Sequence, residues 1–411
     1  MRSIGRTVPP RPARTGGVGQ NGGVKRLALL VVAALVAAAC SGGGDDKTDN
    51  AIVLGMINQE DAPVGSFPEA REAAQAAVDH VNDDLGGVNG RRLRLEVCRT
   101  NGSPESSAAC ANSLLQKRPV AVLGGVDLAA AASLPVFERA GIPYVGGAPA
   151  LGEELTSPTA WMLAGGVVGD LLGVADYALS TLKVKKVGAL YVDLPGVLTT
   201  VIAASEIVLR SKGVTDVKLV AAGADTADFA GPLKAVTAGN PDAVVVLFPA
   251  QSCARIMSAA RSLRVRARMF YTSACASQAV VDAAGPAAED AYFASGYLPF
   301  DDPSPEVATW KAETRVSKPS ALSQAGFAVV MDVYGLLEEG ADTPAALTAK
   351  LRSAVDRPGF MAHSYTCDRK QVPVLSAVCN PYVRLLQYKS GRFTDLTGNW
   401  VSGAHLVKLF G

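Results

Sequence analysis

The sequence predicts an α/β fold with parallel sheets covered by helices, and three observations carry that expectation. From residue 51 onward, strand-like and helix-like patterns alternate with little interruption. Some strand-like runs are apolar throughout, as strands buried on both faces are. Aromatic residues make up only 6% of a chain that is 49% hydrophobic and rich in Ala, Val and Gly, a composition suited to close helix–sheet packing.

Taken in order, residues 51–57 form a β-rich apolar run. A helix follows, with Ala70, Ala73, Ala74, Ala77, Val78, Val81 and Leu85 at the spacing of one buried face. Gly86-Gly87 stops it. Leu93, Leu95 and Val97 alternate as a strand, and Ser103-Pro104 opens a helix to about residue 117. Strands are then expected at 120–123, 143–145, 187–192, 217–221, 243–248 and 268–272. Helices are expected at 128–139, 168–181, 196–211, 227–238 and 252–263. The run at 243–248 is the strongest strand of all. Residues 303–355 change character and hold three helical stretches. In the tail, 367–375, 382–388 and 392–396 read as hairpin strands.

The first 39 residues stand apart. Lys25-Arg26 precede thirteen apolar residues, Leu27 to Ala39, and then Cys40-Ser41-Gly42. A basic start, a short apolar stretch and small residues mark a secretory leader. The stretch is shorter than the roughly 20 residues a spanning helix needs. With cysteine first after the leader, the segment resembles a bacterial lipoprotein signal, whose thiol takes a diacylglycerol. A leader that is simply cleaved is the other reading, and both export the chain. Residues 1–39 are thus expected as signal peptide and 40–50 as lipidated Cys40 and a flexible tether.

Charge narrows the partners. Six of the 39 basic residues and none of the 38 acidic ones lie in that leader, leaving 33 against 38. No basic patch for phosphates is visible, so nucleic acid is not an expected partner. Besides Cys40 there are Cys98, Cys110, Cys253, Cys275, Cys367 and Cys379, an even set that outside the cytosol implies disulfides. Sequential pairing is expected, because each pair then staples one local unit. Metal is not expected, since there is no CxxC or HxxxH and His80, His363 and His405 are scattered.

In open α/β sheets, ligands bind beyond the carboxyl ends of strands, beside helix N-termini. That rule selects the loops 58–67, 124–130, 146–150, 193–196, 249–253 and 273–277. Candidate ligand contacts within them are Phe67, Asp127, Leu128, Ala129, Ala148, Pro149, Asp193, Gln251 and Ser273, and Tyr297 is a further candidate outside them. For several of these a structural role competes. Asp127 suits a helix N-cap as well as contact with a ligand's cation. Phe67 suits a hydrophobic staple, Gln251 a surface position and Tyr297 the core. Enzyme motifs such as GxSxG, HExxH and a phosphate loop are absent, so no catalytic residue and no cofactor are assigned.

The phrase Val81-Asn82-Asp83-Asp84-Leu85-Gly86-Gly87-Val88-Asn89-Gly90-Arg91, together with Ile52-Val53-Leu54-Gly55, Val120-Ala121-Val122-Leu123-Gly124-Gly125 and Ala140-Gly141-Ile142-Pro143-Tyr144, resembles the type I periplasmic-binding-protein family. Its closest members are the branched-chain amino acid and amide binders of ABC importers. The resemblance implies two Rossmann-like lobes with parallel sheets joined by a three-segment hinge. Lobe 1 would be 51–163 and 296–355, and lobe 2 would be 164–295 and 356–411, with crossings near 162–165, 293–297 and 355–360. It implies a monomeric binding protein, not an enzyme. Such a protein captures a small polar or amphipathic, amino-acid-like or amide-like solute and delivers it to an ABC permease. A sensory lipoprotein of the same fold is the alternative. Cys40 would anchor the chain to the outer face of the cytoplasmic membrane.

The resemblance also exposes departures. Where amino-acid binders place a carboxylate-gripping hydroxyl, this chain has Leu128-Ala129-Ala130 and then Gly147-Ala148-Pro149-Ala150. Asp193-Leu194-Pro195-Gly196 replaces an aromatic-Gly phrase, and Ala274-Cys275 stand where an amine-binding glutamate is expected. A branched-chain amino acid is therefore a poor fit, although backbone N–H groups at the Leu128 helix are left as a carboxylate site.

Overall fold

A computed structural model describes residues 50–60, 62, 65–150, 152–194 and 199–410. They belong to one compact unit, residues 47–411. The expected leader, Cys40 and the tether through residue 49 lie outside the described residues, as do Pro195 and Gly196.

Two sheets organise the unit. The first is all parallel, in the order β2-β1-β3-β4-β5, from β1 (Ile52–Gln59), β2 (Leu93–Thr100), β3 (Ala121–Gly124), β4 (Tyr144–Gly146) and β5 (Ala160–Met162). The second runs β14-β13-β10-β9-β8-β6-β7. Its parallel members are β6 (Lys186–Val192), β7 (Asp216–Ala222), β8 (Ala243–Leu247), β9 (Arg268–Tyr271) and β10 (Tyr292–Ser295). An antiparallel hairpin, β13 (Arg384–Lys389) and β14 (Arg392–Asp395), extends it. Two short strands, β11 (Arg357–Gly359) and β12 (Ala362–Tyr365), pair only with each other. The apolar 243–248 run becomes β8, flanked by β6 and β9 inside the second sheet.

The first sheet carries α1 (Pro68–Asp83), α2 (Pro104–Leu115), α3 (Ala130–Ala140) and α4 (Gly152–Thr156). The second carries α5 (Gly166–Ser180), α6 (Thr199–Ser211), α7 (Ala230–Val236), α8 (Ala250–Ser262) and α9 (Gln278–Ala284). The three helical stretches predicted after residue 303 are α10 (Pro305–Thr314), α11 (Ala321–Glu338) and α12 (Pro344–Arg352). Local chemistry explains their starts. Ser103, Ser304, Ser320 and Thr343 each accept a backbone N–H three residues on, capping α2, α10, α11 and α12. Proline opens α2, α10 and α12, where its missing N–H is no loss. Helix α11 is buried almost all round and crosses α1 so closely that a Cβ on Gly326 would lie 1.9 Å from the Ala70 carbonyl oxygen.

Sequential disulfides are present: Cys98–Cys110 ties β2 to α2, Cys253–Cys275 ties α8 to the turn after β9, and Cys367–Cys379 closes a tail loop. One strand expectation fails. Residues 367–375 are turns, because Arg369 and Val374 adopt φ of 65° and 60° and Pro373 lacks an N–H, all incompatible with a ladder. The pairing forms earlier instead, in β11 and β12. Short β5, β10, α4 and α9 went unpredicted.

The chain passes between the sheets three times: from β5 into α5, from β10 towards α10, and between α12 and β13. These crossings are bonded to one another. Leu298 N–H donates to Met361 O (2.8 Å), Met162 N–H to Ala377 O (2.8 Å), and Cys379 N–H to Met162 O (2.9 Å). The tail also braces the first sheet. Arg369 lies over the Trp161 ring (3.7 Å to its centroid) and donates to the carbonyls of Ser157, Pro158 and Ala160. Although 356–411 is assigned to the second lobe by sequence, Arg369 to Val378 therefore lie against β5, while β13 and β14 extend the second sheet.

Candidate functional site

The carboxyl ends of strands from both sheets meet across one cavity of about 740 Å³, open solvent included. One wall comes from Phe67, Val126 and Leu128, the Ala148-Pro149-Ala150 loop, and Leu322 at the start of α11. The other comes from Val192 and Leu194 after β6, Leu247, Phe248 and Pro249 after β8, and Thr272, Ser273 and Ala274 after β9. Gly166 and Val167, where α5 begins at the first crossing, close one side.

Side chains from neighbouring strand ends hold the first wall in place. Asn58 donates from Nδ2 to Phe67 O (2.8 Å) and Gln59 donates from Nε2 to Gly65 O (2.9 Å), folding the loop after β1 back over its strand. Asn58 Oδ1 and Gln59 Oε1 then accept the N–H groups of Val126 (3.1 Å) and Leu128 (3.4 Å) from the loop after β3. Phe67, Val126 and Leu322 form a small apolar cluster of their own. Gly166 adopts φ of 53°, and a Cβ there would lie 2.0 Å from Pro149 O. Only glycine fits that approach.

Among the described residues, no Asp, Glu, Lys, Arg or His lines the cavity. The side-chain hydroxyls are those of Thr272 and Ser273. Behind the second wall, Asp170 Oδ2 accepts both Ser273 N–H (2.8 Å) and Ser273 O–H (2.7 Å). Burial pushes the Asp170 carboxyl up to about 6 despite those two bonds. Behind the first wall, Asp127 accepts from Ser107 O–H (2.6 Å), Ala129 N–H (3.1 Å) and Ser133 O–H (3.4 Å), and burial raises its carboxyl also. The arrangement can enclose an apolar body and hydrogen-bond it through neutral groups.

Of the ten predicted site residues, Phe67, Leu128, Ala148, Pro149 and Ser273 line the cavity. Asp127 points away and holds the turn, and Ala129 is the buried residue preceding α3. Asp193 is exposed outside the cavity, its neighbour Leu194 lining the wall instead. Gln251 is exposed and donates from Nε2 to Ser66 O (3.2 Å), reaching from α8 of the second layer to the first. Tyr297 is buried, its O–H donating to Gly147 O (2.8 Å). The N–H groups at the Leu128 turn, read from sequence as open to a carboxylate, already have protein acceptors. Sequence reading missed Leu322, which no strand-end rule reaches, and Val126, Phe248 and Thr272, whose loops or neighbours it did select.

Two features lie elsewhere. His80, Asp84 and Glu313 bring three potential metal-ligating atoms within 4.8 Å of one another at α1 and α10, and none of them lines the cavity. A second apolar space of about 440 Å³ lies beneath α5 and α6, against Val187, Ala189, Val217 and Leu219 of the second sheet. Among the described residues, no helix is long and apolar enough to cross a membrane.

Residues 51–376 match the family model described as periplasmic binding protein. No curated protein matches the sequence. Among solved structures, the leucine-binding protein LivK of Thermotoga maritima shares 17% identity, with 85% of this chain and 99% of that one covered and a TM-score of 0.71. The branched-chain amino acid substrate-binding protein LivJ of Streptococcus pneumoniae, solved with isoleucine, shares 19% over 86% and 99% of the two chains, with a TM-score of 0.69. A fatty acid ABC transporter substrate-binding protein from Thermomonospora curvata shares 16% over 88% and 94%, with a TM-score of 0.73.

Proposed function

Because this chain belongs to the periplasmic binding protein family, we propose that it is the extracytoplasmic solute receptor of an ABC importer. It captures a small amphipathic molecule between its lobes and presents it to a membrane permease. One observation carries this reading: loops at the carboxyl ends of parallel strands in two separate sheets form the opposing walls of one cavity. Of the proteins similar in structure, LivK is a leucine-binding protein, LivJ a branched-chain amino acid transporter substrate-binding protein, and the Thermomonospora protein a fatty acid ABC transporter substrate-binding protein.

Phe67, Leu128, Ala148, Pro149 and Ser273 contact the solute in this reading. Lobe 1 comprises 51–163 and 296–355; lobe 2 comprises 164–295 and 356–411, with Arg369 to Val378 bracing lobe 1. The Gln251–Ser66 bond crosses between the lobes. It forms on closure and breaks on opening, so solute capture shifts the balance towards the closed form that docks on the permease. The chain acts as a monomer, tethered through diacylglyceryl-Cys40 to the outer face of the cytoplasmic membrane, and performs no catalysis. Thermal-shift titration of a protein lacking the leader, against amino acids, amides, nucleosides, polyamines and neutral amphiphiles, tests the proposal. A concentration-dependent rise in melting temperature with at least one solute is expected. A flat response across all classes would count against solute capture.

A further inference from the structure

We propose that the cleft favours neutral amphiphiles over carboxylates, α-amino acids included, because among the described residues no cation lines it and three buried carboxylates of the chain itself accept N–H groups in or beside its lining. The inference rests on the solute-capture reading and narrows it to a substrate class.

A ligand carboxylate in a dry cleft needs a cation, or several free N–H groups at a strand-to-helix turn. Among the described residues, no cationic side chain lines this cavity. At the turn after β3, Val126 N–H donates to Asn58 Oδ1, Leu128 N–H to Gln59 Oε1, Ala129 N–H to Asp127 Oδ1 and Ala130 N–H to Asp127 O. After β4, Ala150 N–H donates to Glu154 Oε2 (2.9 Å) and Pro149 has no N–H at all. After β9, both donors of Ser273 converge on Asp170.

Three carboxylates of the chain itself thus stand behind the walls. Asp127, Glu154 and Asp170 are each no more than 1% exposed. Each accepts from backbone next to or within the cavity lining, where a bound anion would otherwise accept. Their charge adds a second barrier, because like charges repel more strongly in a water-poor cleft than in bulk solvent. Among the described residues no carboxylate lines the cavity to receive a ligand ammonium. What the walls offer a ligand is apolar surface and the hydroxyls of Thr272 and Ser273, and the Ser273 oxygen can still accept. A neutral alcohol, amide or ketone with an apolar body satisfies both.

Two isosteric series read this directly on the wild-type protein without its leader, by calorimetric or thermal-shift titration at pH 7.5. One is 3-phenylpropan-1-ol, 3-phenylpropanamide, 3-phenylpropanoate, 3-phenylpropan-1-amine and phenylalanine. The other is octan-1-ol, octanoate and 2-aminooctanoate. The neutral members should bind at least about tenfold tighter than the charged member with the same body, which is about 1.4 kcal/mol. Equal or tighter binding of octanoate, 3-phenylpropanoate or either amino acid would overturn the inference while leaving solute capture standing. A preference for the amine would overturn it too, because the buried carboxylates would then be acting on the ligand. Silence from both series and from the wider solute panel would remove solute capture itself, and this inference with it.

Discussion

Replacing Asp170 with asparagine tests whether a buried carboxylate holds the cleft wall. Asp170 lies in the first turns of α5, 1% exposed, with Ser273 N–H and O–H both on Oδ2. Burial outweighs those bonds and lifts its carboxyl from the ordinary 3.8 to about 6. The folded protein therefore binds this proton more tightly than the unfolded chain does. The resulting stabilisation is fully present below about pH 4 and lost as pH rises through about 6. A shift of about two pH units corresponds to about 3 kcal/mol. The asparagine side chain has no such proton, so the Asp170→Asn profile lacks this fall. Asp332, pushed up to about 7 by burial while it accepts Phe360 N–H, titrates in a similar range but is common to both proteins and cancels in the difference. Urea unfolding at half-unit steps from about pH 4 to 7.5 measures that difference. Wild type should lose about 2.4 kcal/mol more than Asp170→Asn between about pH 4 and 7. Profiles that stay parallel within about 0.5 kcal/mol would refute the placement of an ionisable carboxylate in a dry site behind Ser273.

Three further outcomes are expected. Gly166→Ala forces φ of 53° on alanine and drives its Cβ against Pro149 O. It should lower the urea midpoint by an amount equivalent to about 1–3 kcal/mol, and a loss below about 0.5 kcal/mol would contradict the geometry. Removing Cys253–Cys275 by double alanine substitution frees a closure across 22 residues. A loss of about 3 kcal/mol is expected by equilibrium unfolding, and an unchanged midpoint would count against the bond. Cys40→Ala in the full-length chain should abolish metabolic labelling with an alkyne fatty acid and release protein into the medium or periplasm. Labelling that persists would place the lipid elsewhere.

Much of the fold was legible because it rests on periodicity. The stripe from Ala70 to Val81 could only bury one helix face, and the unbroken apolar run of β8 could only sit inside a sheet. Local units also made the cysteine pairing readable, since each pair links an element to its neighbour. The strand-end rule found its cavity residues where the loop itself forms the wall, as at Phe67, Ala148 and Ser273. Its failures share a cause. Asp127 sits in a selected loop, Tyr297 follows β10 and Leu322 lies on α11, and which way each side chain points depends on contacts far away in sequence. Asp127 turns towards Ser107 on α2, Tyr297 reaches Gly147, and Leu322 arrives at Phe67 through α11. The 367–375 segment misled for the opposite reason: its composition suits a strand, but left-handed residues at Arg369 and Val374 prevent one.

The cavity between the two sheets is the centre of this account, and blocking it tests the claim most directly. Ala148 lines the wall on the loop after β4, and Ala148→Trp projects an indole into that space. The solute that most raises the wild-type melting temperature should leave this variant's unchanged, while the unliganded variant still unfolds cooperatively within a few degrees of wild type. An undiminished shift in a well-folded Ala148→Trp protein would place the solute somewhere other than between the sheets.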